Sequence, residues 1–270
     1  MDQRPIGVFD SGVGGLSVVR ELCRLLPGED IVYFGDVGRV PYGTRSREVI
    51  YRYASEDLRF LRDRNVKLII AACGTASSVI DSALTDRLPT PYTGVIEPTA
   101  RAAAAATRNK KVGIIGTDAT IRSGSFVRAL HAIDPVIETV GQGCTLLVPL
   151  VENDRYQPGD VVIETVAREY LEPLRQEGLD VLILGCTHYP LLTDIIREIM
   201  GPEVSLVNAG AESVHTLHDA LARRQLLAPE GTGQALLCTS DRPEGFGQMA
   251  RRFLQEEPTA PVRLVDIEGY

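Results

Sequence analysis

Two cysteines stand at matching places in two similar segments: Cys73 in LIIAACGTASS (68–78) and Cys186 in VLILGCTHYPL (181–191). Each closes an apolar, β-branched run and is followed at once by small or hydroxyl residues. That places both thiols where a strand gives way to a helix, whereas a structural cysteine would sit inside the run. The echo continues upstream, where IGVFDSG (6–12) resembles VGIIGTD (112–118), with 66 residues from Gly7 to Cys73 and 73 from Gly113 to Cys186. If the two units face each other across a cleft, one thiol comes from each side, and three chemistries could use that. A disulfide would freeze the cleft. Cys73, Cys186 and His188 would form a Cys₂His zinc set. Alternatively, one thiolate removes a proton from one face of a carbon while the other thiol supplies one to the opposite face, so that two like groups run a reaction in either direction. Free thiols titrate near about 8.5, and a helix following each cysteine would favour the thiolate and hold carboxylate oxygens. Asp10 and His188 add titratable groups at strand ends. Hydroxyls and amides at Ser11, Thr75, Thr117 and Thr187 could clamp a small dianion.

The elements that must carry these residues follow from the hydrophobic pattern. Apolar runs predict strands at 5–9, 31–34, 67–72, 111–116, 136–140, 181–185, 204–207, 235–238 and 262–265. Helical periodicity predicts helices at 14–26, 46–64, 97–108, 120–131, 160–177, 190–200, 211–225 and 244–255. Runs buried on both faces and joined by crossover helices imply an α/β fold with parallel sheets. Read as two copies of one α/β unit, the chain divides into a discontinuous first domain, 1–95 plus 211–270, and a second domain, 96–210. VIEPTARAAAAA (95–106) is the crossing and VNAGAES (207–213) the return. Ligands of open parallel sheets bind outside the carboxyl ends of the strands, and Cys73, Cys186, Asp10, Ser11 and Thr117 all lie at such ends.

Composition narrows the function further. With 28 Lys and Arg against 36 Asp and Glu, the net charge is −8. No basic cluster offers a footprint for nucleic acid or an anionic membrane. No segment approaches the roughly 20 apolar residues of a membrane span, and MDQRPIGVFD runs straight into a strand without a signal peptide. Five cysteines, none in a Cys-x-x-Cys pair, fit a reducing cytosol. Cys23, Cys144 and Cys238 read as packing residues. DSGVGGLSV lacks both the third glycine of a dinucleotide loop, where Ser17 stands, and the lysine of a P-loop. His215 and His218, three apart on a helix, have no further ligand nearby in the sequence.

GVFDSGVGGLSV, YFGDVGRVPYG, ACGTAS, GIIGTDATIRSG, VPLVE and LGCTHYPLL occur in that order. The set resembles the glutamate racemases of the cofactor-independent aspartate/glutamate racemase superfamily, over residues 6 to 200 with a weaker match in the tail. The resemblance implies two pseudo-symmetric flavodoxin-like domains with glutamate bound between them. It implies cofactor-free interconversion of L- and D-glutamate in the cytoplasm, supplying D-glutamate for peptidoglycan, in a homodimer that needs no metal. It makes Cys73 and Cys186 the catalytic pair, assisted by Asp10, Glu152 and His188. Asp10, Ser11, Pro41, Tyr42, Gly43, Gly74, Thr75, Thr117, Thr120, Thr187 and His188 match its substrate-contacting positions. Aspartate-specific relatives carry Glu rather than His after the second Cys-Thr, so GCTHYP favours glutamate. One residue departs from the pattern: where the family has Asn, this chain has Gly74, and restoring Asn is expected to tighten glutamate binding by a hydrogen bond worth about 1 kcal/mol. Two other classes remain, a lyase using a single thiol and a non-catalytic two-domain protein that closes on a dicarboxylate.

Overall fold

The computed structural model describes residues 2–229, 231–258 and 261–270. The chain opens with β1 (Ile6–Asp10), α1 (Leu16–Leu25), β2 (Ile31–Gly35), α2 (Arg47–Asp63), β3 (Leu68–Ala71), α3 (Gly74–Ser77), α4 (Ser82–Thr85) and β4 (Tyr92–Gly94). Helix α5 (Ile96–Ala106) leads into a second run. This comprises β5 (Lys111–Gly116), α6 (Asp118–Ser123), α7 (Ser125–Ile133), β6 (Glu138–Gly143), α8 (Leu147–Glu152), α9 (Val161–Gln176), β7 (Val181–Leu184), α10 (Thr193–Met200) and β8 (Ser205–Asn208). Helix α11 (Ala209–Arg223) returns the chain to β9 (Ala235–Thr239), α12 (Pro243–Leu254) and β10 (Arg263–Leu264).

The strands form two sheets, ordered β10-β9-β2-β1-β3-β4 and β6-β5-β7-β8, and every strand pair is parallel. The shared order β2-β1-β3-β4 and β6-β5-β7-β8 is the structural counterpart of the sequence echo. Gly7 pairs with Ile69 on the strand leading to Cys73, and Gly113 pairs with Leu182 on the strand leading to Cys186. Residues of β1, β2, β3 and β7 are buried throughout, because helices cover both sheet faces, and this is why their sequences show continuous apolar runs without alternation. One apolar cluster is continuous between the halves, running from Ile6 and Val8 through Leu16 and Val214 to Leu182 and Tyr189. Lys67 and Glu29 form a buried ion pair at 2.5 Å, and the ammonium also donates to the carbonyls of Asp2 and Leu226, which fastens the segment after α11 to the first sheet.

Several boundaries differ from the sequence expectation. The helix predicted at 120–131 is two helices, α6 and α7, because Gly124 adopts a left-handed φ of +64° between them. Helix α10 begins at Thr193, since Pro190 belongs to a 3₁₀ turn, Tyr189–Leu192. Strand β4, three residues long, and helix α8 were not anticipated.

Candidate active site

A cavity of about 350 Å³, enough for a small ligand, is lined by the segments that follow the carboxyl ends of β1, β3, β5 and β7. Cys73 and Cys186 both line it. In each sheet the thiol follows the strand beside the central one, at the point where the strand order reverses and α/β folds bind ligands.

On the first side, Asp10 ends β1. Its Oδ2 accepts from the Gly12 amide at 3.1 Å, and Oδ1 lies 3.5 Å from the Thr187 hydroxyl of the other half. Burial pushes the carboxyl up, with His188 and the local amides opposing. Cys73 caps the short helix α3: its sulfur accepts from the Ala76 amide at 3.4 Å and lies 3.5 Å from Ser11 Oγ. Burial, together with the charge of Asp10, pushes this thiol up to about 12, more than the Ser11 and Ala76 hydrogen bonds recover. The amide of α3, a helix of four residues, does favour the thiolate at Cys73 as expected, but burial and Asp10 outweigh it.

The second side is built differently. Cys186 Sγ lies 3.8 Å from His188 Nδ1, and His188 Nε2 lies 3.0 Å from Glu152 Oε1. Burial opposes a charge on this imidazole, but its hydrogen bonds to Cys186 and Glu152 outweigh that and push it up to about 10. At neutral pH His188 is a cation facing a sulfur. The sequence expectation of a helix directly after Cys186 is also corrected, since the 3₁₀ turn at 189–192 precedes α10.

The halves meet around the cavity. Thr75, Thr117 and Thr120 form a triangle of hydroxyls, with oxygens 2.9, 3.0 and 3.4 Å apart. The Ser17 hydroxyl donates to the Thr187 carbonyl at 3.1 Å. Gly74 lies so close to the opposite half that a Cβ there would stand 2.3 Å from the Gly185 carbonyl oxygen. An Asn side chain cannot be added at 74 without parting the two backbones, which runs against the expectation that Gly74→Asn tightens binding. The Tyr42 ring is buried, with its hydroxyl within reach of the Asp36 and Asp57 carboxylates that Arg39 pairs with, so the loop 40–44 is anchored from below.

These geometries belong to a recognisable lineage. A model of the Asp/Glu/hydantoin racemase family matches residues 6–215. The chain belongs to that family. It is 46% identical to a glutamate racemase of Geobacter metallireducens over 255 residues, 94% of each chain. In structure it is similar to a glutamate racemase isoform of Bacillus anthracis, with a TM-score of 0.93 at 36% identity over 98% of each chain. It is also similar to the glutamate racemase of Francisella tularensis in complex with D-glutamate, with a TM-score of 0.92 at 35% identity over the whole of both chains. Membership makes the chain an amino-acid racemase, an isomerase.

Of the racemase residues expected from sequence, Ser11, Pro41, Tyr42, Gly43, Gly74, Thr75, Thr117, Glu152, Thr187 and His188 line the cavity with the two thiols. Asp10 and Thr120 stand behind its wall, joined to lining residues by hydrogen bonds. Cys144, read from sequence as a packing residue, is buried but lines the cavity beside Thr145, Val148 and Pro149. Burial pushes its thiol up, with the Cys186 charge adding to the effect. The pair Cys144-Thr145 repeats Cys186-Thr187, a signal that could have found it. Arg252 and Phe253, which reach Glu152 and His188 from α12, lie outside every motif. Among the described residues, no three His, Cys, Asp or Glu side chains converge as a metal site, and no helix is long and apolar enough to cross a membrane.

Proposed function

We propose that the chain interconverts L- and D-glutamate by proton transfer between Cα and two thiols on opposite faces. The observation that carries this reading is that Cys73 and Cys186, contributed by different sheets, line one cavity. The two thiols meet unequal surroundings: the His188 imidazole stands beside the Cys186 sulfur, whereas Cys73 lies buried beside Asp10 and Ser11. In one direction Cys186 takes the Cα proton, forming S–H as C–H breaks, and Cys73 delivers its proton to the other face of the same carbon. The reverse direction starts from the exchanged protonation states. Glu152 and His188 serve the Cys186 side, and Asp10 the Cys73 side. The hydroxyls of Ser11, Thr75, Thr117, Thr120 and Thr187, with the backbone of Pro41 to Gly43 and of Gly74, hold the substrate carboxylates. Glutamate is favoured over other amino acids by the relatives that carry that name and by the D-glutamate complex of the Francisella enzyme. The product D-glutamate would supply peptidoglycan synthesis. We read the chain as a cytoplasmic homodimer with domains 1–95 plus 211–270 and 96–210.

The test is circular dichroism of glutamate with purified protein in EDTA, without added cofactor. Ellipticity should decay to zero from either enantiomer. A constant signal with glutamate beside a decaying one with aspartate would overturn the substrate assignment.

A further inference from the structure

The pair that faces Cys186 is held from outside its own half. Glu152 is the last residue of α8, a six-residue helix, and its carbonyl is one of the terminal acceptors that a helix cannot satisfy internally. Arg252, on α12, donates from Nη1 to that carbonyl at 2.6 Å, and its Nη2 pairs with the Asp154 carboxylate. Asp154 sits in a left-handed turn, with φ of +65°, where the chain leaves α8. A guanidinium at this point both fills an empty acceptor and sets positive charge at the negative end of the helix. The next residue, Phe253, is fully buried against the His188 ring, with centroids 5.2 Å apart and planes at 82°. Helix α12 lies between β9 and β10 of the first sheet, whereas Glu152 and His188 follow β6 and β7 of the second. Two consecutive residues of one half therefore touch both members of the pair that faces Cys186 in the other.

We propose that Arg252 is a positioning residue for the Cys186 side of the reaction: by bracing the end of α8 from α12, it holds the Glu152 carboxylate on His188 Nε2 and, through it, the imidazole against the Cys186 sulfur. The inference rests on the two-thiol reading of the site. The groups facing His188 are Cys186 and Thr187 from its own loop, Asp10 from β1, Glu152 from α8, and Phe253 from α12, with Arg252 and Asp154 behind Glu152. Of these, Arg252 is the one whose removal loosens Glu152 and leaves every other partner of His188 in place. A loosened Glu152 gives His188 less to hold its proton, so the imidazolium is lost at lower pH.

The experiment measures kcat, KM and their pH profiles for wild type, R252Q, R252K, E152Q and R252Q/E152Q. R252Q should lower kcat on the order of 10-fold, a part of what a positioned proton-transfer group supplies. KM should stay within about twofold, and the alkaline limb should move to lower pH. R252K should recover most of kcat. In the E152Q background, R252Q should cost less than about twofold more, because the residue through which it acts is already disabled. D154N, at the exposed end of the brace, should move the alkaline limb in the same direction even if R252Q folds poorly. An equal loss from R252Q with and without E152Q, or an unmoved alkaline limb in both R252Q and D154N, would overturn the proposal. Racemisation by C186A in the same assays would instead overturn the two-thiol reading, so the two failures are distinguishable.

Discussion

Cys73 and Cys186 hold equivalent places in the repeated unit and meet opposite electrostatics: Cys73 is buried beside a carboxylate, Cys186 beside a cation. The proposed two-base reaction needs one group protonated and the other not, and the two thiols meet unequal neighbours. The imidazolium of His188 is central to it and leaves a mark on stability. Its folded value, about 10, lies above the ordinary 6.5, so folding retains a proton that the unfolded chain releases between those values. Its contribution is therefore complete below pH 6.5 and lost as pH rises through 10. Replacing it in H188N should lower stability at pH 6 by about 1.5–3 kcal/mol, the range for hydrogen bonds to charged groups. The gap between wild type and H188N in thermal melts should shrink steadily from pH 6.5 to 10, and a gap that widens over that range would contradict this assignment. At this scale the sequence showed which residue types matter, because a Cys with a Thr one or two residues later, closing an apolar run, is a local pattern. It could not show that Cys73 is pushed up, since that depends on burial and on Asp10, which is distant in the chain.

Between elements, α3 comes very close to the loop after β7, at Gly74 and the Gly185 carbonyl. The missing side chain is a condition of the contact, in contrast to the simple loss of a donor that the sequence suggests. Gly74→Asn should therefore act as overpacking, costing about 1–3 kcal/mol against the closed arrangement. The corresponding fall in kcat/KM is roughly 5- to 160-fold, with KM raised, as steady-state kinetics with either enantiomer would show. A lower KM would restore the hydrogen-bond account. Strands β1, β2, β3 and β7 were legible because each is a short, fully buried apolar run, and at β5, buried beyond Lys111, the expected limits 111–116 coincide with the observed ones. Strand β4 was not, because Tyr92-Thr93-Gly94 is half-buried and too short to make a pattern. The division of α6 from α7 depends on a single left-handed glycine, and α8 was hidden because LVPLVE reads as a strand run interrupted by proline.

Across the whole molecule, the internal echo of the sequence appears as two parallel sheets sharing one strand order and contributing one thiol each to a common cavity. That much was readable because repeated local patterns fold into repeated units. What could not be read is how the halves are held together: the continuous core from Ile6 to Leu182 and the brace from Arg252 to Glu152 join residues far apart in the chain. The functional account depends on a thiol from each half serving the same carbon. It is tested most directly by running glutamate racemisation in D₂O with wild type, C73A and C186A, starting from each enantiomer, and measuring deuterium at Cα of the product. Wild-type product should carry solvent deuterium at Cα in both directions, and each single variant should lose racemisation on the order of 10⁴-fold in both. Near wild-type racemisation by either variant, or wild-type product that keeps its original hydrogen, would contradict the two-thiol mechanism.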